Sequence, residues 1–566
     1  MLSILDNLKQ QITKELKLKE ANFSYPPSSN LGDLSLACFE IAKEQKRNPA
    51  ELAAELSVKL TAQKKLKKYF LEVKAVGPYL NFFINPEYLA SRVISAIKSA
   101  KNKYGNNSIG GGKKIMIEYS NGNTHKEYHV GHLRNVAYGD AANRLLNANG
   151  YESIPVSYIN DFGIHVAKAI WNWQRNEKYA ASQEDKGYLL GKCYAEAAQE
   201  LAAHPEYKEE VGKIMKDIEA RRGEAYALWQ ETREWSIDYF NSIYRDLGIK
   251  FKHIFYENEF IDEGLRLVAG LIKTGNLIKS EGAIIADLEK YNLGVLPVIR
   301  TDGTALYPVS DLALAQEKFR KYNIIESIYV IDIRQSLYFQ QLAKICELLG
   351  YKQKLTHLGY DFVTLPEGMM ASRTGNIITY EELKTKILDK LFTETKKRHE
   401  DWTNDRARQV AWNLTISTIK FEMLKVGPDK IITFNIEESL RFDGYTACYL
   451  QYGYARLKSI VRKERLNFFA PPVNYRELKE AKEKEILIKL ARFPEIVKVA
   501  GEKYYPSEIT KYLFELVQLF NDYYHGVNIL KAEPKVRRAR LALIKAVAQV
   551  IYNGSNLLGL SVIEEM

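Results

Sequence analysis

Cysteine is scarce in this chain: Cys38, Cys193, Cys346 and Cys448 are the only four among 566 residues, each more than a hundred positions from the next. No two form a C-x-x-C pair, which argues against a zinc knuckle and a secreted disulfide framework. Long apolar runs are missing as well. The opening MLSILDNLKQQITKELKLKE is charged and amphipathic, and no stretch of 18 or more apolar residues follows, so no signal peptide or membrane span is expected and the cytoplasm is the expected location. Charge of one sign is also lacking: 81 Lys+Arg against 70 Asp+Glu leave only +11, which neither requires nor excludes a polyanionic partner. From Arg441 to Met566, however, 21 Lys+Arg stand against 14 Asp+Glu, so +7 of the +11 lies in that last part, the better nucleic-acid candidate. Hydrophobic residues at 46% and charged residues at 27% exclude disordered and fibrous classes, and the length suits roughly three to four domains.

What is present falls into three regions. In KRNPAELAAEL, Asn48 can cap a helix with Pro49 in its first position, and VGPYLNFFI alternates like a strand, giving a small α+β module over 1–105. KNKYGNNSIGGGKK reads as a flexible linker rather than a phosphate loop, because no G-K-[ST] follows and a strand comes next. Strands and helices then alternate over 106–440. KIMIEYS, a helix from Val130 and SIPVSYI make a βαβ unit; a helical insertion spans about 166–255; GAIIADLE, LPVIRTDG, ESIYVID and LTHLGYDFV resume the alternation. The expectation is a Rossmann-like parallel sheet covered by helices. After Tyr380, opened by a Thr379 to Glu382 capping box, strands are expected to vanish and 441–566 reads as an all-α bundle.

The first βα junction carries His129, Gly131 and His132 in H-V-G-H. At the carboxyl end of a parallel strand, a helix N-terminus offers free N–H groups to anions, the glycine lets a nucleotide approach, and imidazoles can donate to phosphate oxygens. A zinc site would need a third ligand, and none is obvious among nine histidines and four scattered cysteines. Small nucleotidylyltransferases and class I aminoacyl-tRNA synthetases share such an H-x-G-H. IEYSNGNTHKEYHVGHLRN resembles the arginyl-tRNA synthetase form VEFSSPNxAKPxHVGHLR, and YINDFGIHV, TDGTALYPVSDLALAQEKF and IYVIDIRQSLYFQQL resemble further blocks of that family. GDLSLACFEIAKEQKRNPAELAAEL resembles its additional N-terminal domain, and YTACYLQYGYARLKSIVRK with RRARLALIKAVAQVIYNGSNLLGL its helical anticodon-binding domain.

The resemblance implies an enzyme that activates L-arginine with ATP and passes it to tRNA(Arg), working as a monomer, with Mg²⁺ accompanying ATP and no zinc. His129, His132, Lys126 and Arg373 would be catalytic. His129, Gly131, His132, Gly359 and Gly375 would contact ATP. Glu118, Tyr307 and Asp311 would hold the guanidinium, with Asn123 and Gln335 at the α-amino end. An acidic seat is chemically apt, because a guanidinium is a fixed fork of donors that stays charged. MMASRTGN, within loop 368–376, resembles the family's mobile KMSKS loop but departs from it: Met369, Ala371 and Ser372 replace its first lysine, first serine and second lysine, and Arg373 alone is a strong cation. Family members with this departure commonly carry a lysine before the first histidine, the place of Lys126. In the bundle Tyr449, Tyr452, Arg456, Arg537, Arg538 and Arg540 combine stacking faces with phosphate-pairing charge. Two other readings stay open: an RNA-binding paralogue without activity, and a synthetase for another amino acid.

Overall fold

Asn48 Oδ1 accepts the backbone N–H groups of Ala50 and Glu51 at 2.9 and 3.3 Å, and Pro49 follows where no helical donor is lost. The computed structural model describes residues 3–366, 378–464 and 472–566. Its N-terminal unit contains α1 (Ile4–Glu15), α2 (Phe39–Glu44), α3 (Pro49–Thr61) and an antiparallel sheet of β1 (Phe23–Ser24), β2 (Leu34–Ala37), β3 (Phe70–Val76) and β4 (Tyr79–Ile84), ordered β1-β2-β4-β3, and α4 (Pro86–Ala100) leads from it towards the central sheet.

The central sheet begins with β5 (Lys114–Glu118), β6 (Glu152–Ile159) and β7 (His253–Tyr256), side by side and parallel. Helix α5 (Val130–Ala148) crosses from β5 to β6. Between β6 and β7 lie α6 (Ile164–Arg175), α7 (Glu177–Ala180), α8 (Lys186–Ala203), α9 (Lys208–Glu219) and α10 (Gly223–Asp246). Then come α11 (Ile261–Lys273), the hairpin strands β8 (Ile278–Ser280), β9 (Ala283–Asp287) and β10 (Val295–Ile299), and α12 (Tyr307–Lys321). The chain returns to the far side of β5 with β11 (Glu326–Asp332), α13 (Ser336–Leu348) and β12 (Lys354–Tyr360), completing the parallel order β12-β11-β5-β6-β7. Strand periodicity divides the core: Ile115 and Ile117 join the cluster on the α5 side, while Met116 joins Val156, Leu312, Phe319 and Leu342 on the α12–α13 side.

The C-terminal part contains β13 (Val363–Thr364), α14 (Tyr380–Arg398), α15 (Asn404–Leu424), β14 (Ile432–Thr433), α16 (Ile436–Ser439), α17 (Ala447–Arg462), α18 (Ala481–Lys503), α19 (Ser507–Gly526) and α20 (Pro534–Leu557). Thr379 and Glu382 cap α14 reciprocally, at 3.2 and 3.1 Å.

Four local expectations are corrected. The helical insertion ends at Asp246, and His253–Tyr256 forms the sheet's fifth strand. GAIIADLE and LPVIRTDG do not extend the parallel sheet; they pair antiparallel as β9 and β10, with β8 joined to β9 through Glu281 and Gly282, both at positive φ. Connections this short cannot carry a parallel crossover. Strands do not vanish after Tyr380, since β14 pairs in parallel with β13. Nor is the stretch after α4 a loose connector. The Tyr104 hydroxyl donates to the Leu490 carbonyl at 3.0 Å, and a Cβ on Gly105 would lie 2.5 Å from the Phe493 ring.

Candidate active site

β5 ends at Glu118, and the following loop is fixed from three sides before α5 begins. The Ser120 N–H donates to Asn135 Oδ1 at 2.6 Å; the Thr124 N–H donates to the Asn160 carbonyl at 3.0 Å; the His125 N–H donates to Ser236 Oγ at 3.1 Å. Ser120 and His125 hold positive φ, so these bonds sustain a backbone that side-chain-bearing residues rarely adopt. The loop delivers His129 to the N-cap of α5.

The two histidines close on each other, rings 4.0 Å apart. His129 Nδ1 accepts the Gly131 N–H at 3.1 Å, and His132 Nδ1 accepts the His129 N–H at 3.2 Å. Burial, with the Lys126 charge adding, lowers His129 to about 4; burial, then His129 and Lys126, holds His132 far below the usual histidine range. Both rings are therefore neutral at pH 7. With each Nδ1 used as an acceptor, the single ring proton sits on Nε2. The motif is thus a pair of oriented Nε2–H donors at a helix N-terminus, suited to phosphate oxygens. Gly131 has a packing role as well as an open face: a Cβ there would lie 2.9 Å from His129 Cε1. Lys126 is half-buried, its Nζ 5.2 Å from the centre of the Tyr194 ring. Burial and the Lys168 charge lower its pKa.

Across the carboxyl edge, Asp311 and Tyr307 share a face in the first turns of α12, Tyr307 63% exposed. Tyr338 donates its hydroxyl to Asp311 Oδ2. Burial pushes the Asp311 carboxyl up to about 7; the Glu118 charge adds to this, while the Tyr338 bond and Lys318 oppose it. Glu118 differs from expectation: it is buried in an ion pair with the fully buried Lys318 and also accepts Asn121 Nδ2 at 3.1 Å, so its charge is already matched within the protein. The carboxylate that sequence reasoning missed is Glu257, immediately after β7. Its Oε2 is buried without a hydrogen-bond partner, and burial, with the charges of Asp311 and Asp161, raises it to about 8. An acid just beyond the apolar HIFY was a usable signal once those residues were read as a strand.

Asn123 bridges to Asn160 beside β6, and Gln335 is exposed at the N-cap of α13, the helix that carries Tyr338. Gly359 lies near the end of β12, paired with Ile331; a Cβ there would meet His357 and Ile333 at 3.3–3.4 Å. Arg373 and Gly375, with Met369, Ala371 and Ser372, lie outside the described residues.

In the bundle, Arg456 donates to Asn521 Oδ1 at 2.8 Å and to the Tyr452 hydroxyl at 3.2 Å, and Asn521 Nδ2 donates to the Tyr449 hydroxyl at 2.9 Å. Tyr452 and Arg456 border a cavity of about 420 Å³ that Arg462, Lys463 and Tyr524 also line. Arg537 is exposed and Arg538 half-buried on α20. Arg540, grouped with them by sequence, points inward, donating to Glu483 at 2.8 Å and to the Asn528 carbonyl at 3.0 Å; it ties the bundle together.

The family described as tRNA synthetases class I (R), catalytic domain, matches residues 93–432. This chain belongs to the arginyl-tRNA synthetase family. The DALR anticodon binding domain matches residues 450–566, and the arginyl tRNA synthetase N terminal domain residues 3–84. Among relatives, the arginine–tRNA ligase of Bdellovibrio bacteriovorus is 34% identical over 96% of this chain and 93% of its own length. That of Clostridium perfringens is 33% identical over 100% and 99%. The arginyl-tRNA synthetase structure from Thermus thermophilus shares the fold with a TM-score of 0.82 at 23% identity, covering 100% of both chains. The Plasmodium falciparum arginyl-tRNA synthetase does so at 0.78 and 20%, again covering 100% of both.

Proposed function

We propose that Asp311 and Glu257, with Tyr307, seat the arginine guanidinium, and that the Nε2–H groups of His129 and His132 bind ATP phosphates. As an arginine–tRNA ligase, the enzyme joins arginine to ATP as arginyl-adenylate and then to tRNA. In the first step an arginine carboxylate oxygen attacks the α-phosphorus, the bond to the bridging oxygen breaks, and pyrophosphate leaves. In the second, a terminal ribose hydroxyl of tRNA(Arg) attacks the acyl carbon and AMP leaves. Displacement at phosphorus needs alignment and charge stabilisation rather than a side-chain nucleophile. The histidine donors, the α5 N-terminus and Lys126 supply that stabilisation, with Arg373 assigned to the same task. Gly359 is assigned to the nucleotide, as Gly375 is from the sequence alone, and Asn123 and Gln335 take the α-amino end. No cluster of three or more metal-ligating side chains occurs among the described residues, so Mg²⁺ would arrive with ATP on phosphates and water. Tyr449, Tyr452 and Arg456, with Arg537 and Arg538, form the RNA face of the bundle, the cavity beside Arg456 accepting an unpaired base.

The observation that carries the arginine assignment is a buried carboxylate with a free oxygen, Glu257, close enough to a second carboxylate, Asp311, to be raised by its charge. Such an arrangement is costly without a cation and suits a guanidinium. Aminoacylation with a panel of labelled amino acids tests it. Arginine alone should be charged; efficient charging of a neutral amino acid would overturn the reading. No helix among the described residues is long and apolar enough to cross a membrane.

A further inference from the structure

The segment YINDFGIHV contains a buried acid that the chemistry above does not use. Asp161, two residues past β6, is fully buried, and its carboxylate collects three donors. Arg233 Nε on α10 reaches Oδ2 at 2.6 Å, the Asn258 backbone N–H reaches Oδ1 at 3.0 Å, and Asn258 Nδ2 also donates to Oδ2. The Asp161 carbonyl accepts Trp229 Nε1 at 2.9 Å, and the Arg233 guanidinium lies 4.2 Å over the Tyr256 ring. One side chain therefore joins the loop after β6, helix α10 and the turn after β7.

The Asn258 N–H belongs to the peptide plane that leaves Glu257. Holding that plane, next to the end of β7, restrains rotation about the Glu257 Cα–C bond and so limits the directions in which its side chain leaves the backbone. The Glu257 carboxylate has an Oε2 that no protein group holds. A donor placed on that oxygen would compete with the guanidinium, whereas a grip on the adjoining peptide aims the carboxylate and leaves it free. Burying Asp161 is otherwise expensive, and its three donors offset the loss of water.

We propose that Asp161, braced by Arg233, is a positioning residue for arginine selection, acting through the Asn258 peptide to aim Glu257 into the guanidinium seat. This rests on the reading that Glu257 touches arginine. Steady-state ATP–pyrophosphate exchange, with tRNA(Arg) present, should be measured for Asp161→Asn, Asn258→Ala, Glu257→Gln and Asp161→Asn/Glu257→Gln, varying arginine and ATP separately. Misaiming one carboxylate should raise the KM for arginine about 10–100-fold in Asp161→Asn, and by a smaller factor in the gentler Asn258→Ala, with the KM for ATP nearly unchanged. In the double variant the Asp161 change should add nothing to Glu257→Gln, because both remove the same contact. Additive losses, or a rise in the KM for ATP equal to that for arginine, would overturn the proposal, as would a normal KM for arginine in Asn258→Ala and Asp161→Asn. If Asp161→Asn fails to fold, Arg233→Lys, which loosens the brace on Asp161 while leaving its charge paired, and its combination with Glu257→Gln decide by the same criteria. Should Glu257→Gln itself leave arginine kinetics unchanged, the guanidinium reading fails, and this inference with it; normal kinetics in the Asp161 and Asn258 variants beside an impaired Glu257→Gln defeat this inference alone.

Discussion

As the proposed guanidinium seat, Asp311 and Glu257 would make arginine binding sensitive to pH. Burial raises Asp311 to about 7 and Glu257 to about 8, so near neutrality the empty site retains protons that a carboxylate in water would have lost. Arginine keeps its charge throughout this range and binds the ionised acids, so binding must release protons. The charged and titratable groups around the pair include Glu118 with Lys318, Asp161 with Arg233, Tyr158, Tyr307, Tyr329, Tyr338 and Cys346. The expected outcome is that arginine affinity rises from pH 6 to pH 9 and levels off above the raised pKa values. Calorimetry in buffers of different ionisation enthalpy reads the released protons, and pH-independent binding without release would contradict it. At the phosphate side, Lys126→Ala should slow adenylate formation by about two to four orders of magnitude, or about 3–5 kcal/mol, with ATP binding weakened much less. Single-turnover kinetics check this; a change under about tenfold would return Lys126 to the role of a packed lysine over Tyr194.

At the scale of elements, the opening turn of α5 is a device with one tight tolerance. Gly131→Ala places a Cβ 2.9 Å from the His129 ring, which must swing away and give up the bond that orients its Nε2–H. Loss of one oriented donor should cost about 10²-fold in kcat, with little change in melting temperature. An alanine variant of normal rate would show that the ring position is unimportant. The strand before this turn, the helix after it, the capped α14 and the strands β11 and β12 were legible because each shows a clear apolar pattern or carries an explicit cap. β7 was not, since four residues after a long helix give too short a period to register. β9 and β10 were misjudged as parallel strands although the connection between them is far shorter than any crossover, and β8 was not read at all, the Glu281-Gly282 turn being the signal passed over. Of the proposed guanidinium seat, the shared face of Asp311 and Tyr307 was readable as an i, i+4 pair at a helix start, while their role came only from the family resemblance. Lys318 paired to Glu118 was not, because a contact between residues two hundred positions apart leaves no local pattern. Glu257 was lost with β7.

The three family domains are bound into one body through α18. Lys484 on that helix pairs with the buried Asp33 at 2.7 Å, Asp33 also accepts the Ile84 N–H at 2.7 Å, Lys9 pairs with Glu495 at 2.7 Å, and the Tyr25 hydroxyl donates to Glu495. Tyr104 and Phe493 stack at the junction with the catalytic part. Lys484→Met strands the Asp33 charge and should destabilise this docking by about 2–3 kcal/mol, seen as a lower urea midpoint. An unchanged midpoint would mean that the N-terminal unit is held mainly by its apolar contacts. Such a body would carry the proposed RNA face on the bundle and the proposed arginine seat at the sheet. Its central chemical claim is that the seat recognises charge. The most direct measurement compares kcat/KM for arginine and for citrulline, its neutral isostere, in the native enzyme and in Asp311→Asn. The variant should lose about 2–5 kcal/mol toward arginine and little toward citrulline, so that discrimination collapses. Unaltered arginine kinetics, or equal losses for both amino acids, would contradict it.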